Sequence, residues 1–166
     1  VAIYPFAKRF TWWPQVFLGL AFNWGAVLAY AAHSGFVSGA ALLLYAGGIT
    51  WTLFYDTIYA CQDKEDDALI GVKSTARLFG DKARQWLWGF MVATVLLIAA
   101  AVVVVPFQGV WSPLVALAGV WAFGWHMVWQ MRQLNTEDPA SCLRMFRANR
   151  DGGLILALFL AVAAFL

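Results

Sequence analysis

Five stretches of almost uninterrupted apolar residues, at about 14–32, 36–60, 86–105, 110–131 and 152–166, constrain this chain more than any other feature. The first four are 19 to 25 residues long, and an α-helix needs roughly 20 residues to cross ~30 Å of hydrocarbon. The last, at 15 residues, is short for a span, and a start nearer Met145 or truncation at the C-terminus would account for it. Strands of a transmembrane barrel would be about 10 residues long with strict alternation, a pattern these runs do not show. The expected fold class is therefore all-α, a transmembrane bundle of about five helices. Composition agrees: 63% of residues are hydrophobic, 12% are charged and the mean hydropathy is +0.71. The interior of a soluble domain this size cannot hold that much apolar side chain.

The polar segments sort by side. Two short turns, His33-Ser34-Gly35 and Pro106-Phe107-Gln108-Gly109, carry no Lys or Arg. All eleven Lys and Arg fall before the first span (Lys8, Arg9), between the second and third (61–85) or between the fourth and fifth (132–151). By the positive-inside rule that side is cytoplasmic. Six of ten Trp (12, 13, 86, 88, 111 and 129) sit near span ends, as an interfacial belt requires. The net charge of +2, without a basic run, excludes a nucleic-acid partner. Cys61 and Cys142 lie far apart with no CxxC or His pairing, which argues against a disulfide framework or a zinc site. No repeat or linker divides the chain, so residues 1–166 read as one unit. A first residue Val1 and an apolar last run lead to the expectation that this unit belongs to a longer protein.

Asp56 interrupts the apolar run 42–60, about one turn from its polar end. An ionisable group there costs a few kcal/mol, roughly 2.5–3.5 at the centre and less near the interface, and such groups face a cavity or a partner. If the helix continues at 100° per residue, Asp63 and Asp67 return to within about 20° of Asp56, with Tyr59 near the same stripe. Stacked carboxylates repel unless a cation lies between them. An oxygen-only set without His or Cys favours a hard cation, Mg²⁺ above all, which commonly bridges carboxylates to phosphates. Downstream, Lys73 and Arg77 are four residues apart, on one side of a short helix that Gly80 would end, while Asp81 would cap the third span. Carboxylates followed by paired cations suit Mg²⁺ and a polyphosphate. A charged loop between membrane helices is ordinarily a solvated loop; Asp56 and the stripe weigh against that here.

The runs Tyr4-Pro-Phe-Ala-Lys-Arg-Phe-Thr-Trp-Trp-Pro-Gln15, Tyr55-Asp-Thr-Ile-Tyr-Ala-Cys-Gln-Asp-Lys-Glu-Asp-Asp67, Ile70-Gly-Val-Lys-Ser-Thr75 and Phe146-Arg-Ala-Asn-Arg150 resemble the 4-hydroxybenzoate polyprenyltransferases of the UbiA superfamily. The resemblance covers nearly the whole chain. It implies a nine-helix membrane enzyme, of which these are the C-terminal five helices, with two Asp-rich motifs across a cytoplasmic-side cavity. It further implies Mg²⁺, polyprenyl diphosphate and 4-hydroxybenzoate, an early step of ubiquinone biosynthesis, and a bacterial or mitochondrial inner membrane. Asp63-Lys-Glu-Asp-Asp67 matches the second motif, so Asp63 and Asp67, with Asp66 as a further donor, are the implied metal ligands. Asp56 and Tyr59 match the conserved acid and its neighbour. Lys73, Arg77, Lys8 and Arg9 match basic positions near the diphosphate, and Asn23 and Tyr55 are candidate contacts for the aromatic or prenyl group. The first motif, NDxxDxxxD, does not occur in these residues, so this portion alone is expected to be inactive.

Ionising an allylic diphosphate needs cations at the leaving group and a π-rich wall for the allylic cation, for which Tyr59, Phe54 and Tyr55 are candidates. Asp56 is the candidate base or phenol-orienting group. A UbiA-type enzyme with another acceptor is one alternative. A transporter using Asp56, His126 and Asn23 is another, opposed by polar groups clustering at one end. A CDP-alcohol phosphotransferase is opposed by the lack of its DG-x-x-AR signature. His126 reads as a satisfied bundle residue, and Glu137-Asp138-Pro139 as a polar turn. Arg144, Arg147 and Arg150 read as a basic stripe for anionic headgroups.

Overall fold

The computed structural model describes residues 4–166, with side chains from Phe6 onward; Val1, at the start of the expected unit, lies outside the described residues. Eight α-helices follow in order: α1 Tyr4–Phe10, α2 Pro14–Ser34, α3 Gly39–Gln62, α4 Lys64–Leu69, α5 Thr75–Phe79, α6 Ala83–Val104, α7 Trp111–Gln133 and α8 Pro139–Ala164. A 3₁₀ turn, Gly80–Lys82, joins α5 to α6. No strand occurs among the described residues.

The five long helices stand where the five spans are expected. Three stretches, Pro14–Ser34, Thr75–Val104 and Trp111–Gln133, are long and apolar enough to cross a bilayer. Helix α3 is diluted by Thr50, Thr52, Asp56 and Thr57, and α8 by its first turns, which carry Arg144, Arg147, Asn149 and Arg150.

Local chemistry sets the ends. Pro14 begins α2, where a missing N–H and a preset φ cost nothing. Gly35, at φ 78°, ends it in the left-handed region, its N–H returning to the Ala31 carbonyl. Ser38 caps α3 by accepting from Ala41 N–H at 3.1 Å. Asp138 caps α8 by accepting from Ala140 N–H at 3.0 Å, with Pro139 following. The long polar loop expected over 132–151 is therefore only a turn, and most of that segment is the first three turns of α8. Helix α8 thus gains the length its apolar run lacked. The expected cap at Asp81 does not form: Asp81 lies inside the 3₁₀ turn, and α6 starts after Lys82 without a side-chain cap.

Helix α3 is the centre. It packs on α2, α6 and α8, and α7 closes the far side against α6 and α8. Phe54, Ile58, Leu87, Ile98, Phe123, Met127 and Met131 are fully buried between these helices. Glycines let the backbones approach, as in membrane bundles generally. A Cβ on Gly119 would lie 2.3 Å from Phe159 Cβ, and one on Gly47 would lie 2.8 Å from Ile98 Cγ1. Interhelical hydrogen bonds supplement the contacts: Thr94 Oγ1 donates to Thr50 Oγ1 at 3.0 Å, and Tyr45 OH donates to the Leu20 carbonyl at 2.8 Å. Arg84 closes the C-terminus of α7, donating to the Met131 and Leu134 carbonyls at 2.7 and 3.0 Å. The antiparallel run of helices puts turns 35–38 and 105–110 at one end and every Lys and Arg toward the other.

Gly119→Ala forces α7 and α8 apart against the Phe159 Cβ and is expected to destabilise the bundle by about 1–3 kcal/mol. Gly89→Ala, with nothing within 4 Å of the new methyl group, should leave stability unchanged or slightly raised. Thermal unfolding of both variants in detergent is the check.

Candidate active site

The acidic motif does not lie on one continuous helix. Helix α3 stops at Gln62, Asp63 takes φ −101° and ψ 12°, and α4 begins at Lys64 with Glu65, Asp66 and Asp67 in its first turn. Three acids at a helix N-terminus interact favourably with the helix dipole, which favours a fresh start over continuation. The angular stripe derived from an unbroken helix is therefore corrected. Asp56 and Asp67 are both buried, at 9% and 5% exposure, and Asp63 is half-buried. Asp66 is exposed and lines a separate depression with Lys64, Glu65 and Arg77. The structure does not bring Asp66 to the buried face with Asp67.

Lys8, on α1, reaches one of the buried acids: its Nζ lies 3.6 Å from Asp67 Oδ1. Asp67 Oδ2 is buried with no hydrogen-bond partner among the described residues. A buried carboxylate oxygen without a donor is costly unless a cation takes it. No three His, Cys, Asp or Glu side chains converge on a metal-binding arrangement among the described residues. Mg²⁺ commonly takes only one or two carboxylates and completes its octahedron with phosphate and water. The unpartnered Asp67 Oδ2 has the chemistry of one such donor.

The basic segment is pinned beside them. Lys73 N–H donates to the Lys8 carbonyl at 2.8 Å, and Lys73 Nζ to the Phe10 carbonyl at 3.4 Å. Arg77 Nη1 donates to the Asp67 carbonyl at 3.2 Å and to the Val72 carbonyl. Ser74 caps α5, accepting from Arg77 N–H at 3.4 Å. Thr75 and Thr57, both fully buried, share a 2.7 Å hydrogen bond that ties α5 to α3. Arg9 is exposed and makes no hydrogen bond or ion pair among the described residues. The structure thus brings together Lys8, Asp67, Lys73 and Arg77, and leaves Arg9 outside.

A groove of about 800 Å³ opens between α2, α3 and α8, lined by Asn23, Trp51, Tyr55, Phe146, Arg147 and Asn149 among others. Asn23 Nδ2 donates to Thr52 Oγ1 at 3.0 Å and to the Gly19 carbonyl at 2.8 Å. Thr52 Oγ1 lies 3.2 Å from Tyr55 OH. The three side chains form one polar chain across α2 and α3. Trp51 Nε1 donates to Asn149 Oδ1 at 3.0 Å, and Tyr59 packs on Phe146 with ring centroids 4.9 Å apart. Of the three aromatic candidates, Phe54 is fully buried in the core and faces no open space, which leaves Tyr55 and Tyr59.

Arg144, Arg147 and Arg150 also line this groove, beside Asn23 and Tyr55. They lie on α8 and not in a loop, and Asp138-Pro139, a cap followed by an N1 proline, is the sequence signal that the helix starts before them. His126 Nε2 hydrogen-bonds the Ala148 carbonyl at 2.9 Å, as a satisfied bundle residue does. Cys61 and Cys142 are free and buried, and Cys142 Sγ donates to the Asn135 carbonyl at 3.4 Å.

The UbiA prenyltransferase family model matches residues 1–162. The chain is 47% identical, over all of its length, to the mitochondrial 4-hydroxybenzoate polyprenyltransferase of Drosophila melanogaster, of which it spans 41%. It is 48% identical to the bovine protein of that name and 45% identical to the human one, in each case over 95% of the chain and 42% of the relative. The chain therefore spans about two fifths of the length of the curated relatives it matches. No solved structure matches it.

The Thr57–Thr75 bond fixes the basic segment on α3. Thr75→Val should cost about 1–2 kcal/mol and speed amide exchange across residues 72–79. Unchanged exchange there would show that the hydroxyl pair is not the anchor.

Proposed function

Because the chain belongs to the UbiA prenyltransferase family, we propose that it is the C-terminal part of a membrane enzyme that transfers a polyprenyl group from polyprenyl diphosphate to the ring of 4-hydroxybenzoate. That is an early step of ubiquinone biosynthesis. The membrane is the mitochondrial or bacterial inner membrane, with the charged end on the matrix or cytoplasmic side. The arrangement that carries this reading is the pair of cations, Lys73 and Arg77, on a segment fastened to the buried Asp67 and to Lys8 beside it, with half-buried Asp63 four residues before Asp67. The names of the relatives support the substrates.

Asp63 and Asp67 would hold Mg²⁺, which when bound neutralises the leaving diphosphate. Lys73 and Arg77 bind the remaining phosphate oxygens with charge-assisted hydrogen bonds. Lys8, already on Asp67, keeps that carboxylate oriented and offers a third cation at the same end. The prenyl chain lies along the apolar walls of the groove, away from water, with Tyr55, which lines it, and Tyr59, packed on the lining Phe146, as candidates for the aromatic wall near the electron-poor allylic carbon. The ring carbon of the phenol attacks that carbon, and a carboxylate takes the proton the ring loses. Asp56 is the candidate for that transfer, and Asn23 and Tyr55 are candidates for holding the acceptor.

In the intact protein, Asp63→Ala or Asp67→Ala should lower Mg²⁺-dependent prenyl transfer by at least about 10²-fold, the scale of losing a group that stabilises developing charge. Near-normal turnover of either would sink the assignment. Lys73→Ala should raise KM for the prenyl diphosphate while the thermal stability stays the same. Unchanged affinity would remove Lys73 from the diphosphate site.

A further inference from the structure

Lys73 and Arg77 hold their charges in a particular way. Neither forms an ion pair among the described residues. Their hydrogen-bond acceptors are backbone carbonyls: Phe10 for Lys73, Asp67 and Val72 for Arg77. Both also lie over one ring: Lys73 Nζ is 5.8 Å and Arg77 Cζ 5.6 Å from the centroid of Trp12. An aromatic face attracts cations through its quadrupole without bringing a negative charge. Two like charges gathered around one ring repel, and the ring offsets part of that repulsion while leaving both charges available to an anion.

The residue that follows Trp12 is anchored. Trp13 donates its N–H to Thr11 Oγ1 at 3.1 Å. The Trp13 ring meets Phe79, Trp86 and Phe90 edge-on, with centroids 5.4, 6.0 and 6.4 Å apart. Phe79 is the last residue of α5, the helix that carries Arg77. Segment 8–13 is thus fastened to segment 67–79 at both ends, by Lys8 to Asp67 and Lys73 and by Trp13 to Phe79, with Trp12 between. The sequence suggests an interfacial belt for both tryptophans, but neither the aromatic cluster nor the paired cations is needed for that role.

We propose that Trp12 is a positioning residue: its indole ring holds Lys73 and Arg77 around it, charged and without a carboxylate partner among the described residues, so that both meet the diphosphate of the substrate. The inference rests on the function proposed above, because it takes the diphosphate as the anion. A belt residue would affect stability or membrane partition; a positioning residue affects anion affinity and is replaced by another aromatic ring.

The test uses the intact protein in lipid nanodiscs and calorimetric titration with inorganic pyrophosphate in the presence of Mg²⁺. Trp12→Leu should weaken pyrophosphate binding about 5-fold, the scale of losing one partly exposed cation–π site. Trp12→Phe and Trp12→Tyr should stay within about 2-fold of wild type. In turnover, Trp12→Leu should raise KM for the prenyl diphosphate and leave KM for the aromatic acceptor unchanged. Trp12 is 38% exposed, so Trp12→Gln provides a second non-aromatic variant should the leucine protein not fold. Wild-type affinity in both non-aromatic variants, or an equal loss in Trp12→Phe, would overturn the inference, as would a wild-type protein that binds no pyrophosphate. A wild type that binds pyrophosphate but transfers no prenyl group would refute the proposed function, and the comparison among Trp12 variants would still decide this one.

Discussion

Charge is expensive in hydrocarbon, and in a chain where 63% of residues are hydrophobic that expense decides where every ionic group goes. The antiparallel helices carry all the Lys and Arg to one end, and the polar segment between α3 and α6 collects there with its acids. Segregation alone would leave a solvated loop. What turns it into a defined arrangement is attachment to α3, through the buried Thr57–Thr75 hydrogen bond, and to α1, through the Lys8 backbone and side chain. Once those attachments exist, the cations and acids have fixed neighbours.

The kind of neighbour matters as much as the distance. Lys8 is paired with Asp67, so its charge is partly spent locally. Lys73 and Arg77 are held by carbonyls and by a ring, which position a cation without cancelling it. Asp67 keeps one carboxylate oxygen buried and without a partner among the described residues. A set with uncancelled cations and an unsatisfied acid oxygen suits a ligand that brings both a metal and an anion. Helix α3 connects this end to the groove, because the same helix bears Asp56, Tyr55 and Trp51, and Trp51 in turn fastens α8 through Asn149.

Much of the architecture was legible because its causes are local. Span length follows from apolar runs, the turn at Gly35 from a glycine free to adopt positive φ, and the identity of the acid and base residues from their types and order. Errors arose where a local rule met a competing one. A 100° periodicity assumed that the helix runs through Asp63, whereas three acids at a new N-terminus favour restarting it. Polarity suggested a loop at 132–151, whereas Asp138 and Pro139 start a helix whose polar turns face the groove. Asp66 and Asp67 are adjacent in sequence and indistinguishable in type, yet one is exposed and the other is 5% exposed.

The sequence by itself determined an all-α bundle with its charges at one end and an acidic motif followed by two cations, since hydrophobic length, charge side and residue order need no tertiary information. Only the tertiary structure decided which of those acids are buried, which cations form no ion pair among the described residues, and that the α8 arginines share a groove with Asn23 and Tyr55. The physical reason is that burial and pairing are properties of contacts between distant segments. Trp12 shows it best: sequence makes it a membrane-belt tryptophan, and only the folding of segment 67–79 onto segment 8–13 puts Lys73 and Arg77 over its face.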